Sequence, residues 1–125
     1  MAQILKIKLS HVLHNNPLMP IIVASTKEIE FENKIVLSVF IEEKDLYTLS
    51  FAKSLNLLDG NNKFLVIDGL DQLLPEKQLK FLTLLKDRRL GGLKLPETMH
   101  LVVLVKNLTD VNKKLIDFCL VLKEG

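Results

Sequence analysis

Hydrophobic positions fall along the chain in short blocks that switch between a helical and a strand period, and this alternation predicts the order of elements. In residues 3–14 the apolar side chains Leu5, Leu9, Val12 and Leu13 recur at helical spacing, with Asn15, Asn16 and Pro17 as a stop. Leu5, Ile7 and Leu9 also alternate as a strand would, but the longer match predicts a helix. Residues 19–24 and 34–41 are short β-branched runs that read as buried strands. About ten residues separate them, close to the minimum for a parallel crossover that contains a helix.

Further on, Asp45 is placed to cap a helix over 46–58, with Leu46, Leu49, Leu55 and Leu58 on one face and Gly60 as the stop. Residues 63–67 form a third strand. The next helix begins at Pro75, which has no N–H to leave unsatisfied in a first turn, and runs through Leu79, Leu82 and Leu85 until Gly91 and Gly92. Residues 99–105 form a fourth strand, Thr109 or Asp110 caps a short helix reaching Asp117, and 118–122 form a fifth strand. Strands alternating with helices predict an α/β fold of three layers: a mostly parallel five-stranded sheet with helices on both faces.

Composition agrees with one folded domain over residues 1–125. At 48% apolar and 26% charged residues the chain can bury a core without disulfides or metals. Its 17 basic and 15 acidic residues are interspersed, so the net charge of +2 creates no field that would select nucleic acid or an anionic membrane. Cys119, the only cysteine, excludes an internal disulfide and a cysteine-rich zinc site. With no signal-peptide pattern and no apolar run of membrane-spanning length, the expected location is cytoplasmic.

The chemistry centres on Phe64-Leu65-Val66-Ile67-Asp68, an apolar strand ending in a carboxylate. Ligands of open α/β sheets bind beyond the carboxyl ends of strands, and a carboxylate there is suited to holding Mg²⁺ through water. Asp71 lies three residues on, and its bland alternative is a cap on the following turn. His11, His14 and His100 are too scattered for a metal spacing, and Cys119 in an apolar strand reads as an inert buried thiol. Arg88, Arg89 and Lys94, with Lys86, form a basic group around a hairpin and are the candidates for contact with a partner.

Taken together, the stretch from Phe64 to Asn107 resembles AAA+ ATPases, and within them the MoxR-like branch. Residues 64–71 match a Walker B strand, Pro75 to Leu85 its following helix, Asp87 to Pro96 the linking hairpin, and Leu101 to Asn107 the sensor 1 strand. With Asp45-Leu46 matching a short motif after the second strand and Leu115 to Phe118 the segment near the subunit boundary, the resemblance covers roughly the last two thirds of the chain. It implies a P-loop NTPase-like fold and makes Asp68, Asp71 and Asn107 the vestigial nucleotide-side residues.

The departures from that family carry as much information as the matches. A phosphate loop needs glycines, a Lys and a Ser or Thr in a fixed order, whereas residues 23–28 read Val-Ala-Ser-Thr-Lys-Glu. Gly69 stands where the family has its catalytic Glu, and Asp117 stands where an arginine finger is usual. The expectation is therefore a truncated, non-catalytic AAA-like module with no cofactor, which binds a protein partner or itself and assembles with or regulates a catalytic relative. Two alternatives remain open at this point. One is a nucleotide-binding protein or weak NTPase with an unconventional phosphate site near Ser25, Thr26, Lys27 and Asp68. The other is an anti-sigma-antagonist-like regulatory domain, against which residues 67–74 count because they contain no Ser or Thr.

Overall fold

The computed structural model describes residues 2–123. Among the described residues seven strands occur in chain order: β1 (Ile21–Ala24), β2 (Lys34–Ser38), β3 (Phe64–Asp68), β4 (Arg89–Leu90), β5 (Leu93–Lys94), β6 (His100–Val105) and β7 (Leu120–Lys123). Five of them form one sheet in the order β2-β3-β6-β1-β7, with every pairing parallel, and β4 and β5 form a separate antiparallel hairpin. The five expected strands and the hairpin are thus present, each within a few residues of its sequence position. The helices are α1 (Ala2–Asn15), α2 (Leu49–Ser54), α3 (Pro75–Gln78), α4 (Leu82–Asp87) and α5 (Lys113–Ile116), with short 3-10 turns between them. Among the described residues no helix is long and apolar enough to cross a membrane.

Strand alternation divides the core in two. Ile22, Leu65, Ile67, Leu101 and Val103 point to one face and join a large cluster with Leu46, Ala52, Phe81, Leu85 and Leu115 from the helices. Ile21, Val23 and Val102 point to the other face, where Leu9 and Leu13 of α1 and Ile29 of the β1–β2 link cover them. Helical elements therefore lie on both faces of the sheet, giving three layers.

The two faces are not covered alike. β1 and β2 stand three strand spacings apart, about 14 Å, and the chain must also travel back along a strand of about 15 Å. Residues 25–33 must make that diagonal. Nine residues coiled as a helix span only about 14 Å, whereas extended they reach about 30 Å. Length alone thus favours an extended link, and no helix forms in it. Between its ends, which bond to the sheet through the Ser25 N–H and the Asn33 carbonyl, the apolar side chains it lays on this face are buried Ile29 and half-buried Phe31. As a result Val36 of β2 remains 51% exposed on this face.

Several expected helices are shorter than the pattern suggested. The stretch expected as one helix over 46–58 is a 3-10 turn at Glu43–Tyr47 followed by α2, and Asp45 lies inside the turn instead of capping it. Its buried side chains are Leu46, Ala52 and Leu57, while Leu58 is 69% exposed. Pro75 does open a helix, but that helix passes through a 3-10 turn at Leu79–Phe81 before α4. It ends at Arg88, which takes a left-handed conformation at φ 54°, so Gly91 and Gly92 form the hairpin turn instead of the helix stop. Near the end of the chain, the caps are Asn107 and Asn112, whose side chains accept the N–H of Thr109 and Lys114, and not Thr109 or Asp110.

Candidate functional site

The strand order creates a topological switch. From β1 the chain leaves toward β2 on one side, and from β6 it passes over β1 to reach β7 on the other. The two connections diverge at the carboxyl ends of β1 and β6, the position at which open α/β sheets bind ligands. A cavity of about 520 Å³ lies there, floored by Val23, Val66 and Leu104 and walled by residues that follow β1, β3 and β6. The open strip beside Val36, left by the helix-free link, is continuous with it.

Of the residues singled out in the sequence, Asp68 and Asp71 both reach this cavity, with Ser25, Thr26 and Lys27 opposite them. Their roles differ. Asp68 ends β3 exposed to solvent. Asp71 sits in the 3-10 turn Leu70–Gln72, and its Oδ2 accepts the backbone N–H of Lys106 at 3.1 Å and of Asn107 at 3.0 Å. The carboxylate fastens the loop after β3 to the loop after β6, and does not cap its own turn.

Asn107 is committed locally as well. Its Oδ1 accepts the Thr109 hydroxyl at 2.7 Å and the Thr109 N–H at 3.4 Å, closing the turn Leu108–Asp110. It does not line the cavity with the two aspartates.

After β1, where a phosphate loop would present a row of amides, the backbone turns onto its own side chain. The Lys27 N–H donates to Ser25 Oγ at 3.1 Å, and the Ser25 N–H is bonded to the Val105 carbonyl at 2.9 Å, continuing the sheet. Two of the donors in this segment are therefore already used within the fold. The segment then continues into the extended link, so no helix dipole points at the cavity from this side.

Gly69 adopts φ 85°, a left-handed conformation that side-chain-bearing residues rarely take, and its N–H donates to the Leu104 carbonyl at 2.8 Å. A Cβ at this position would fall 2.2 Å from Gln72 Nε2. The turn that brings Asp71 to the end of β6 depends on this backbone conformation, so an acid cannot be placed at position 69 without strain.

The basic group around the hairpin divides. Arg88 is only 8% exposed, and its guanidinium turns inward to donate to the Pro96 carbonyl at 2.8 Å and the Met99 carbonyl at 2.7 Å. Burial lowers its pKa, opposed by the charge of Glu97. Arg88 therefore tethers the hairpin to the approach of β6 and is not presented to a partner, which corrects its assignment from sequence. Arg89 and Lys94 are exposed on the hairpin. The hairpin itself is held down: Leu90 and Leu95 are buried, and the Gly91 N–H donates to the Leu46 carbonyl at 2.7 Å.

Two polar residues that sequence reasoning missed complete the scaffold of this end of the sheet. Gln78 is fully buried; its Nε2 donates to the carbonyls of Leu73 and Asp110 at 2.9 and 2.7 Å, and its Oε1 accepts the Asn112 N–H at 2.7 Å. Lys80 donates to the carbonyls of Val39 and Ile41, both at 2.6 Å, and burial lowers its pKa. Both lie in the polar stretch Glu76-Lys77-Gln78-Leu79-Lys80, where nothing in the sequence marks them as inward-facing. No group of three or more potential metal-ligating side chains assembles among the described residues. No family model, curated protein or solved structure matches this chain.

Proposed function

We propose that the chain is a non-catalytic AAA-like module that acts by binding a protein partner or a second copy of itself, in the manner of a subunit that assembles with or regulates a catalytic relative. The observation that carries this reading is the reuse of the nucleotide-side positions for structure. Asp71 binds two backbone amides, Gly69 holds a left-handed turn, and the segment after β1 closes on Ser25 instead of opening as an anion cradle. Catalysis of phosphoryl transfer is mainly positioning and charge stabilisation, and these residues supply structural contacts instead.

An interaction role also has a surface available to it. β2 forms one edge of the sheet, and Val36 and Phe40 are 51% and 68% exposed on or just beyond it. An edge strand with apolar side chains is suited to pairing with another chain. Sedimentation of the chain over a range of concentrations, alone and with an intact AAA+ relative from the same cell, tests the proposal. Association that weakens in Phe40→Ser supports it. Steady ATP turnover by the isolated chain, abolished in Asp68→Ala, would instead favour a hydrolase with an unconventional phosphate site at the 520 Å³ cavity.

A further inference from the structure

β2 is an edge of the sheet and pairs only with β3 among the described residues. The Asn33 carbonyl accepts the N–H groups of Lys63 and Phe64, so in the ladder that follows it is Ile35 and Leu37 that turn their N–H and C=O toward β3. Lys34, Val36 and Ser38 consequently turn theirs outward, away from the strand's partner. The Ser38 carbonyl also takes the Ile41 N–H at 3.3 Å and keeps a second lone pair. The same three residues carry their side chains on one face, and all three are exposed. Val66 and Asp68 share that face, which the helix-free link leaves open beside Val36.

An open edge is completed by another strand, and the charges along this one select which. Lys34 stands at the start of β2; at its end Ser38 lies in register with Asp68 of β3, which is exposed. A second β2 laid parallel and in register would set Lys34 against Lys34, as would antiparallel pairing centred on Lys34, and like charges directly opposite are destabilising. Antiparallel pairing centred on Val36 avoids both. Val36 then faces Val36, and Lys34 of each copy faces Ser38 of the other. All three outward residues fall in hydrogen-bonded pairs, with the two Val36 Cα atoms about 5.5 Å apart. Lys34 of one copy comes to lie two strand spacings, about 10 Å, from Asp68 of the other, on the same face and across the small Ser38. An extended lysine side chain and a carboxylate close that gap. Within one chain the two residues stand at opposite ends of their strands, and Lys34 contacts the exposed Glu30 at 3.8 Å instead.

We infer that two copies of this chain join along β2, antiparallel and centred on Val36, into one continuous sheet with a two-fold axis between the Val36 residues. The inference rests on the association proposed above and gives it an occupant and a register. Symmetry makes each contact off the axis occur twice, so the Lys34 to Asp68 attraction counts double.

Sedimentation equilibrium of the full chain is expected to show a monomer–dimer equilibrium with a Kd on the order of 10⁻⁵ M, as suits a small interface, and no larger species. Val36→Lys, at an exposed position, should weaken it at least about tenfold by setting two ammonium groups at the axis. Lys34→Asp and Asp68→Lys should each weaken it about threefold or more, and the chain carrying both should regain wild-type association, because the charges are exchanged yet still opposite. In a Cys119→Ala background, Val36→Cys should cross-link copies under diamide, since a Cα separation of about 5.5 Å suits a disulfide, whereas Lys34→Cys, about 14 Å from its counterpart, should not. A chain that stays monomeric up to about 10⁻³ M, growth beyond the dimer through β2 meeting β7 of the next copy, or failure of the double exchange to restore association would overturn the inference. A chain that stays monomeric yet binds an intact AAA+ relative would overturn this pairing alone. ATP turnover by a chain that dimerises as described would overturn the non-catalytic reading alone.

Discussion

The carboxylate of Asp71 accepts the backbone N–H of Asn107, so the turn after β3 is fastened to the segment that follows the neighbouring strand β6. Because Oδ2 also takes the Lys106 N–H, one side chain satisfies two amides that β6 leaves without strand partners. Asp71→Ala should therefore destabilise the fold by about 1–3 kcal/mol, while Asp71→Asn, which keeps one acceptor oxygen, should cost less. Urea unfolding of the three proteins checks the order. Equal stability of wild type and Asp71→Ala would mean that the two bonds are not maintained in solution.

Introducing an acid at position 69 should not confer hydrolysis. The φ of 85° at Gly69 makes any side chain there cost on the order of 1–2 kcal/mol, with Gln72 also forced to turn aside. Gly69→Glu is expected to lower the thermal midpoint and to leave ATP turnover at background, measured by phosphate release.

The hairpin provides a paired comparison between adjacent glycines. Both have positive φ, at 58° for Gly91 and 83° for Gly92, but a Cβ on Gly91 would lie 2.4 Å from the Thr48 carbonyl oxygen while one on Gly92 meets nothing within 4 Å. Gly92→Ala should cost about 1 kcal/mol from backbone strain alone. Gly91→Ala should cost more, about 3 kcal/mol or above, because the hairpin must lift from α2 and give up the bond from the Gly91 N–H to Leu46. Denaturant midpoints of the two variants decide it.

Arg88→Met removes both bonds to the carbonyls of Pro96 and Met99 and is expected to destabilise by about 1–3 kcal/mol, chiefly because the buried Met99 carbonyl loses its guanidinium donor, whereas the Pro96 carbonyl still accepts the Met99 N–H. Arg89→Ala, at an exposed position, should change stability by no more than about 0.5 kcal/mol. The contrast separates the tether from the surface charge in a group that looks uniform in sequence.

Burial pushes the Cys119 thiol up to about 12, so the native protein should react slowly with a thiol reagent at pH 8 and rapidly once unfolded. The sign for stability follows from proton linkage. Between the unfolded thiol value near 9 and the folded value near 12, the folded state holds the proton more tightly, so this contribution is intact below pH 9 and is lost as pH rises toward 12. Cys119→Ala should flatten the fall of stability with pH over that window.

Which parts of this molecule were legible in sequence follows from where the information resides. The apolar runs around Ile22, Leu65 and Val102 are buried on both faces of a parallel sheet, and such runs read directly as strands. The shortness of residues 25–33 was legible as well, because the span they cross is fixed by strand spacing. Helices beyond α1 were less legible. Leu49 and Leu58 complete an apolar pattern yet are exposed, since Thr48 interrupts the coil and the buried face passes to Ala52 and Leu57. The roles of Asp71, Gln78 and Arg88 were not legible, because each depends on partners 32 to 36 residues away or on a backbone carbonyl, which carries no sequence signature. Residue type marked these positions as chemically able; only the fold shows that their capacity is spent internally.

Under the proposed function the carboxyl-end cavity does not hold a triphosphate, and calorimetric titration of the full chain with ATP and Mg²⁺ measures this. The account predicts no saturable heat up to millimolar nucleotide, in wild type and Asp68→Ala alike. Micromolar saturable binding that disappears in Asp68→Ala would contradict it.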